Sequence, residues 1–194
     1  SGGGVDREID SDKTTGTIIL NNNVTVQEGF AASNADNGLF DLTLTSGNIN
    51  ANGNTLILGS SAWGPGTLNP AIPTSASYII GKFQRWVNAT GTNWQFPVGT
   101  ATYYRPAVFN APALTTGFLI VEFTGTPPGN TGLPLIDVTA ATLTLQNTFN
   151  EGYWNFSVPV TNPAASTDFN VDLTGTGFTS FPILSTEDSA RVLR

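Results

Sequence analysis

Apolar and polar positions alternate in short bursts along this chain, and the bursts are separated by Asn and Gly. Phe40, Leu42 and Leu44 fall on one face of an extended segment, with Asp41, Thr43 and Thr45 on the other. Ser46-Gly47-Asn48 then turns the chain, Ile49 stands alone as an inward position, and Asn52-Gly53-Asn54 turns it again before Leu56 and Leu58. Upstream, Ile18–Leu20 and Val24–Val26 flank Asn21-Asn22-Asn23 in the same way. Corners rich in Asn and Gly suit the coils of a β-solenoid, because each corner needs a permissive backbone and Asn side chains can pair from coil to coil. They suit β-hairpins equally, Asn-Gly being a strong two-residue hairpin signal. No strict repeat length separates the two readings.

Residues 60–77 carry Pro65, Pro70 and Pro73, which cannot donate to a sheet ladder, so this segment reads as loop and boundary. Beyond it, runs at 78–87, 94–98, 106–110, 117–124, 141–146, 153–160, 168–173 and 178–184 alternate with turns. Strands at this spacing, with no sustained helical period, predict an all-β chain: a β-sandwich or jelly-roll-like module preceded by short solenoid-like or hairpin strands. The expected organisation is an arm at 1–13, a short-strand region at 14–60, a loop at 61–77 and a sandwich at 78–194. The expected core comprises Phe40, Leu42, Leu44, Ile79, Phe83, Val87, Phe96, Val108, Phe118, Ile120, Phe156 and Val158. In the arm, Gly2–Gly4 precede alternating charges, and Val5 and Ile9 mark it as a strand able to join the edge of a neighbouring copy or domain, the other reading being a solvated tail.

Composition then narrows the chemistry. The 194 residues include 39% hydrophobic but only 11% charged residues, with a net charge of −7, which suits a folded chain better than a disordered one. Seven cations without a basic cluster argue against nucleic acid and against anionic membrane surfaces. No apolar run is long enough to cross a bilayer. The start at Ser1-Gly2-Gly3-Gly4 shows no signal peptide, so a mature or excised piece is expected. Without His or Cys there is no imidazole or thiol catalysis and no zinc ligand of either kind. Lack of oxidisable sulfur, Met included, fits an extracellular location.

What remains for catalysis is a carboxylate pair, with Glu122 and Glu151 as the candidates, and Glu122 between Val121 and Phe123 reads as an outward strand position. The chain is therefore read as non-enzymatic. Trp63, Trp94, Tyr103 and Tyr153 are the candidates for a carbohydrate-stacking platform, against the alternative of core filling, which suits Trp86, Trp94 and Trp154. No metal site or cofactor is expected; Asp10-Ser11-Asp12 offers two carboxylates toward Ca2+ but lacks the Gly and closing Glu of an EF-hand loop. Asn-x-Ser/Thr sequons at Asn23, Asn88 and Asn155 are what an Asn- and Thr-rich chain produces unaided.

Taken in order, Leu42–Asn50, Gly53–Gly59, Gly81-Lys-Phe-Gln-Arg-Trp-Val87, Phe96-Pro-Val-Gly99, Tyr104-Arg-Pro106 and Tyr153-Trp154 resemble the recurring segment of large secreted surface proteins of Bacteroidota, gliding-type adhesins among them. The resemblance spans about two thirds of the chain. It implies a structural or adhesive module at the cell surface, a building block of a filament, stalk or large adhesin, exported by the type IX system. Its partners would be neighbouring copies or domains through strand edges, and glycans. The C-terminal sorting domain that such proteins usually carry is not recognisable, and a fragment of a longer chain is one expectation. The family brings no catalytic residues.

Overall fold

The computed structural model describes residues 5–6, 8–26, 41–89, 91–136 and 144–179, and of 5–15 and 145 the backbone alone. Phe40 and most of the segment expected as a strand at 178–184 lie outside the described residues. The described residues are all-β, with strands joined by turns and no helix. The chain divides into two compact units, 1–123 with 154–174, and 124–153 with 175–194.

The larger unit begins with a parallel stack. Its strands are β1 (Val5–Asp6), β2 (Glu8–Ile19), β3 (Val24–Val26), β4 (Asp41–Leu58), β5 (Thr67–Asn69), β6 (Ile79–Val87) and, after β7 (Trp94–Phe96), the short β8 (Val98–Gly99). Strand β4 is not one straight ribbon. Gly47 (φ 75°), Asn52 (φ 51°) and Gly53 (φ 80°) hold left-handed backbone that bends it into three flat pieces. Leu42 and Leu44, Ile49 and Ala51, and Leu56 and Leu58 are the buried pairs on those pieces.

The chain then returns to the same lines after about 30 residues, always in parallel, which is the pairing of successive coils and not of hairpins. One ladder runs Ile9, Leu42, Leu68. A second runs Ile18, Ile49, Ile79, Val98. A third runs Val24, Leu56, Phe83, and beside it Val26, Leu58, Arg85. β1 adds to that third line outside β3, with Val5 opposite Thr25. So residues 5–6 and 8–13, expected within an arm, belong to strands paired within the chain, and the Pro-rich segment 61–77 supplies β5 to the stack, with Leu68 buried.

Corner side chains stitch the coils together. Asn23 Oδ1 accepts the Thr55 N–H (2.9 Å), Asn48 Oδ1 accepts that of Tyr78 (3.2 Å), and Asn54 Nδ2 donates to the Leu20 carbonyl (3.1 Å). These bonds satisfy backbone groups that a corner would otherwise expose.

After β6, β8 apart, the strands pair antiparallel. β11 (Gly117–Thr124) runs against β6 with Val121 opposite Phe83, and β14 (Tyr153–Ser157) adds beyond β11. A second sheet orders β16 (Asn170–Leu173), β9 (Ala107–Asn110) and β7, all antiparallel. Two short strands, β10 (Leu114–Thr115) and β15 (Ala165–Ser166), pair separately. Rings fill this region: Phe83 meets Phe96 edge-on at 5.9 Å, and Phe109 stacks on Phe169 at 5.7 Å.

Burial corrects part of the expected core. Leu42, Leu44, Ile79, Phe83, Val87 and Phe96 are buried, but Val108, Phe118, Ile120 and Phe156 are only half-buried and Val158 is 48% exposed. The inward residues of β9 and β11 are one position over: Ala107 and Phe109, then Leu119, Val121 and Phe123. Phe118-Leu-Ile-Val121 is apolar on both faces, so alternation alone does not set its register; the Phe118 ring packs on Trp86 at 4.8 Å on the opposite side of the sheet.

In the smaller unit, β12 (Leu135–Ile136) and β13 (Thr144–Leu145) pair antiparallel. Phe149 meets Phe178 at 5.2 Å, and Asn130 Oδ1 accepts the Thr148 N–H at 3.0 Å.

Candidate functional site

Apart from Tyr153, the motif residues quoted above from Leu42 to Trp154 belong to the larger unit. Val98 takes its place beside Ile79, and Gly99 follows where a Cβ would meet the Tyr103 carbonyl and stand 2.9 Å from the Tyr78 ring. Only glycine fits there. The chain then makes a tight turn in which Thr100 N–H donates to the Tyr103 carbonyl (2.9 Å) and Thr100 Oγ1 accepts the Tyr103 N–H (3.0 Å). Arg105 N–H returns to the Val98 carbonyl at 2.8 Å, which fixes where the Arg105 side chain enters.

That guanidinium is buried among rings. It lies 4.7 Å from the Tyr103 centroid and 5.9 Å from that of Phe123, and its Nη1 donates to the Tyr104 carbonyl at 3.3 Å. The Trp154 indole N–H donates to the Arg105 carbonyl at 2.8 Å while its ring meets Phe123 edge-on at 4.9 Å. Tyr104 leans the other way, 5.3 Å from Tyr78, and its hydroxyl donates to the Pro73 carbonyl at 3.1 Å. Burial pushes its phenol up to about 12, because the ionised form is poorly solvated there.

A second buried cation sits on β6. Arg85 takes the ladder position held by Val26 and Leu58 in the preceding coils. Its Nη1 donates to the Gln95 carbonyl at 2.9 Å and its guanidinium carbon lies 5.1 Å over the Trp94 ring. Its Nε and the Trp94 Nε1 are buried without a partner among the described residues. Burial pulls the guanidinium down to about 10, leaving it charged at neutral pH. Sequence reading missed both cations as core elements. The signal was there in Phe83-Gln-Arg-Trp-Val87, where one cation interrupts an otherwise buried strand beside an indole.

The candidate stacking residues do not form one platform. Trp94 is 8% exposed and its ring serves Arg85, so it is withdrawn from ligand contact. Trp63, in the loop between β4 and β5, is 46% exposed, and Tyr103 is 55% exposed with Arg105 beside its ring. No ring contact joins Trp63, Trp94 and Tyr103 to one another among the described residues. Tyr153, at the start of β14, is 37% exposed.

The carboxylates are occupied locally. Glu122 points outward, as its spacing implies, and accepts from Asn155 Nδ2 at 3.3 Å. Glu151, in the smaller unit, accepts from both the backbone N–H and the hydroxyl of Thr179. Such bonds hold a loop and a strand face in place. Val5 and Ile9 sit in β1 and β2, where their backbone pairs with β3 and β4; the side chains of Asp10 and Asp12 lie outside the described residues. Among the described residues no group of three His, Cys, Asp or Glu is placed to hold a metal ion. No protein-family model matches the chain, and neither a curated protein nor a solved structure matches it.

Proposed function

We propose that this chain is a non-enzymatic extracellular module, solenoid-like at its start and sandwich-like after β6, that serves as a structural or adhesive building block of a surface filament, stalk or large adhesin. The observation that carries the reading is how the motif residues are used. Gly99, Tyr104, Arg105 and Trp154 are each committed to packing, a turn or a backbone hydrogen bond, so the motifs describe how a module is built. The resemblance to Bacteroidota surface proteins, and with it export by the type IX system, belongs to this proposal and rests on the order of those motifs. Partners would be neighbouring domains met through strand edges. The test is direct: antibody labelling and surface proteolysis of intact source cells, with electron microscopy of the native material. Protein protected from protease until lysis would overturn the location, and isolated globules with no elongated assembly would overturn the building-block role.

A carbohydrate-binding reading keeps one supporting observation. Tyr103 presents an exposed ring whose environment is fixed by Arg105, the arrangement a sugar face can stack on. A glycan array followed by Tyr103→Ala on any hit decides it; binding unchanged by the substitution rejects the residue, and a silent array rejects the reading.

A further inference from the structure

The parallel stack is covered at one end and open at the other. At the far end the ladder through Ile79 passes to Val98 and the turn at Gly99–Tyr104, and the ladder through Phe83 is met by antiparallel β11. At the near end β2 pairs with β4 along one edge, and among the described residues no strand pairs with the other. Burial reports the same asymmetry. Ile49 and Ile79 are fully buried, yet Ile18, one coil earlier on the same ladder, is half-buried. An aliphatic rung loses burial in this way where no further rung lies over it.

β1 supplies the direction. It lies outside β3 in parallel, Val5 opposite Thr25 and Asp6 opposite Val26, so on the third ladder the layer beyond the first coil has already begun. We propose that this open end is an interaction edge that takes one further parallel coil, delivered in cis by polypeptide leading into β1. The coil that fits lays a short extended piece beside Thr17–Ile19, sets an aliphatic residue over Ile18 and turns at Asn or Gly corners, as β4 does on the opposite edge. A second copy fits less well. Two open ends meeting head to head would run antiparallel to the direction β1 sets and would meet β1 on the third ladder. The inference concerns the stack itself and holds whether or not the module works at a cell surface.

The test uses hydrogen exchange on the 194-residue chain and on the chain extended upstream of Ser1 by a duplicate of residues 41–54, the part of a coil that serves the first two ladders, β1 already holding the place on the third. In the natural chain the amides of Thr17–Ile19 that face away from β4 should exchange at least ~100-fold faster than those of Ile49–Ala51. In the extended chain they should slow by ~10-fold or more, and Ile18→Asp should cancel that gain while the near-ultraviolet dichroism of the Trp residues stays unchanged. Protection in the natural chain equal to that of Ile49 would mean the edge is already covered, and overturns the proposal. So does an extended chain with unchanged exchange. Equal protection by residues 41–54 added as a separate peptide would overturn delivery in cis.

Discussion

The parallel stack of β1 to β5 with β8 and the antiparallel region of β7, β9 and β11 reach the same depth of burial by opposite routes. The stack repeats: Leu42 and Ile49 sit over Leu68 and Ile79 of the next coil, Leu56 and Leu58 over Val24 and Val26 of the one before, and Asn corners tie one coil to another. The antiparallel region improvises, with each ring and each buried guanidinium seated in surroundings that occur once. β6 belongs to both, since Phe83 ends an aliphatic ladder on one side and meets Phe96 on the other. Repetition tolerates change at any one rung because neighbouring rungs keep their partners, whereas a one-off packing site has no second copy of its contacts.

The largest effect is expected at Phe83, where the two regions meet. Phe83→Ala should cost about 3–5 kcal/mol and destabilise both regions together in chemical denaturation. Separate transitions for the Trp signal and for stack amides would show that the seam does not couple them. Gly99→Ala comes next: the added methyl group has backbone and ring in its way, and a loss of about 1–3 kcal/mol is expected from overpacking. Asn23→Ala removes one corner bond between coils and should cost about 1 kcal/mol, read as a small shift of the denaturation midpoint with an unchanged slope. A larger loss would mean that the corners, and not the ladders, hold the stack.

Arg85→Met sharpens the other side. Because the cation is buried without a carboxylate partner among the described residues, replacing it with an apolar chain of similar length should change stability by less than about 1 kcal/mol, while Arg85→Ala should leave a void and cost more. The smallest effect is alkaline. The folded Tyr104 phenol is raised to about 12 from 10.0, so below pH 10 its contribution is fully present, and it is lost as pH climbs from 10 to 12, where the unfolded chain ionises first. Tyr104→Phe should flatten that part of the stability curve, and an unchanged slope would place the alkaline loss elsewhere.

How far the sequence could be read follows the same divide. In the stack, Leu42, Leu44, Leu56 and Leu58 announced themselves by alternation, and the Asn-Gly corners marked the bends. What alternation could not decide was whether those bends reverse the chain or carry it onward, because Gly47 and Gly53 provide the same left-handed backbone for either. Parallel pairing is long-range information. In β11 the failure was different: an unbroken apolar run has two faces to bury, and Glu122 alone pointed to the correct register through its outward neighbour position. The aromatic candidates divided by context. Trp63 beside Gly64 and Pro65 stayed exposed, whereas Trp94 in a strand went to Arg85, as the core-filling alternative expected.

Parallel pairing also sets how the module would bear a load. Hydrogen bonds between coils lie along the stack, so tension drawing on β1 would act on them in line with the chain of ladders and release one coil at a time. Each coil of about 30 residues would add roughly 100 Å of extended chain as it came away. A tether ending in such a stack yields in steps and dissipates work at each one, and after the last step it still hangs from the antiparallel region, whose strands would be loaded by a different geometry.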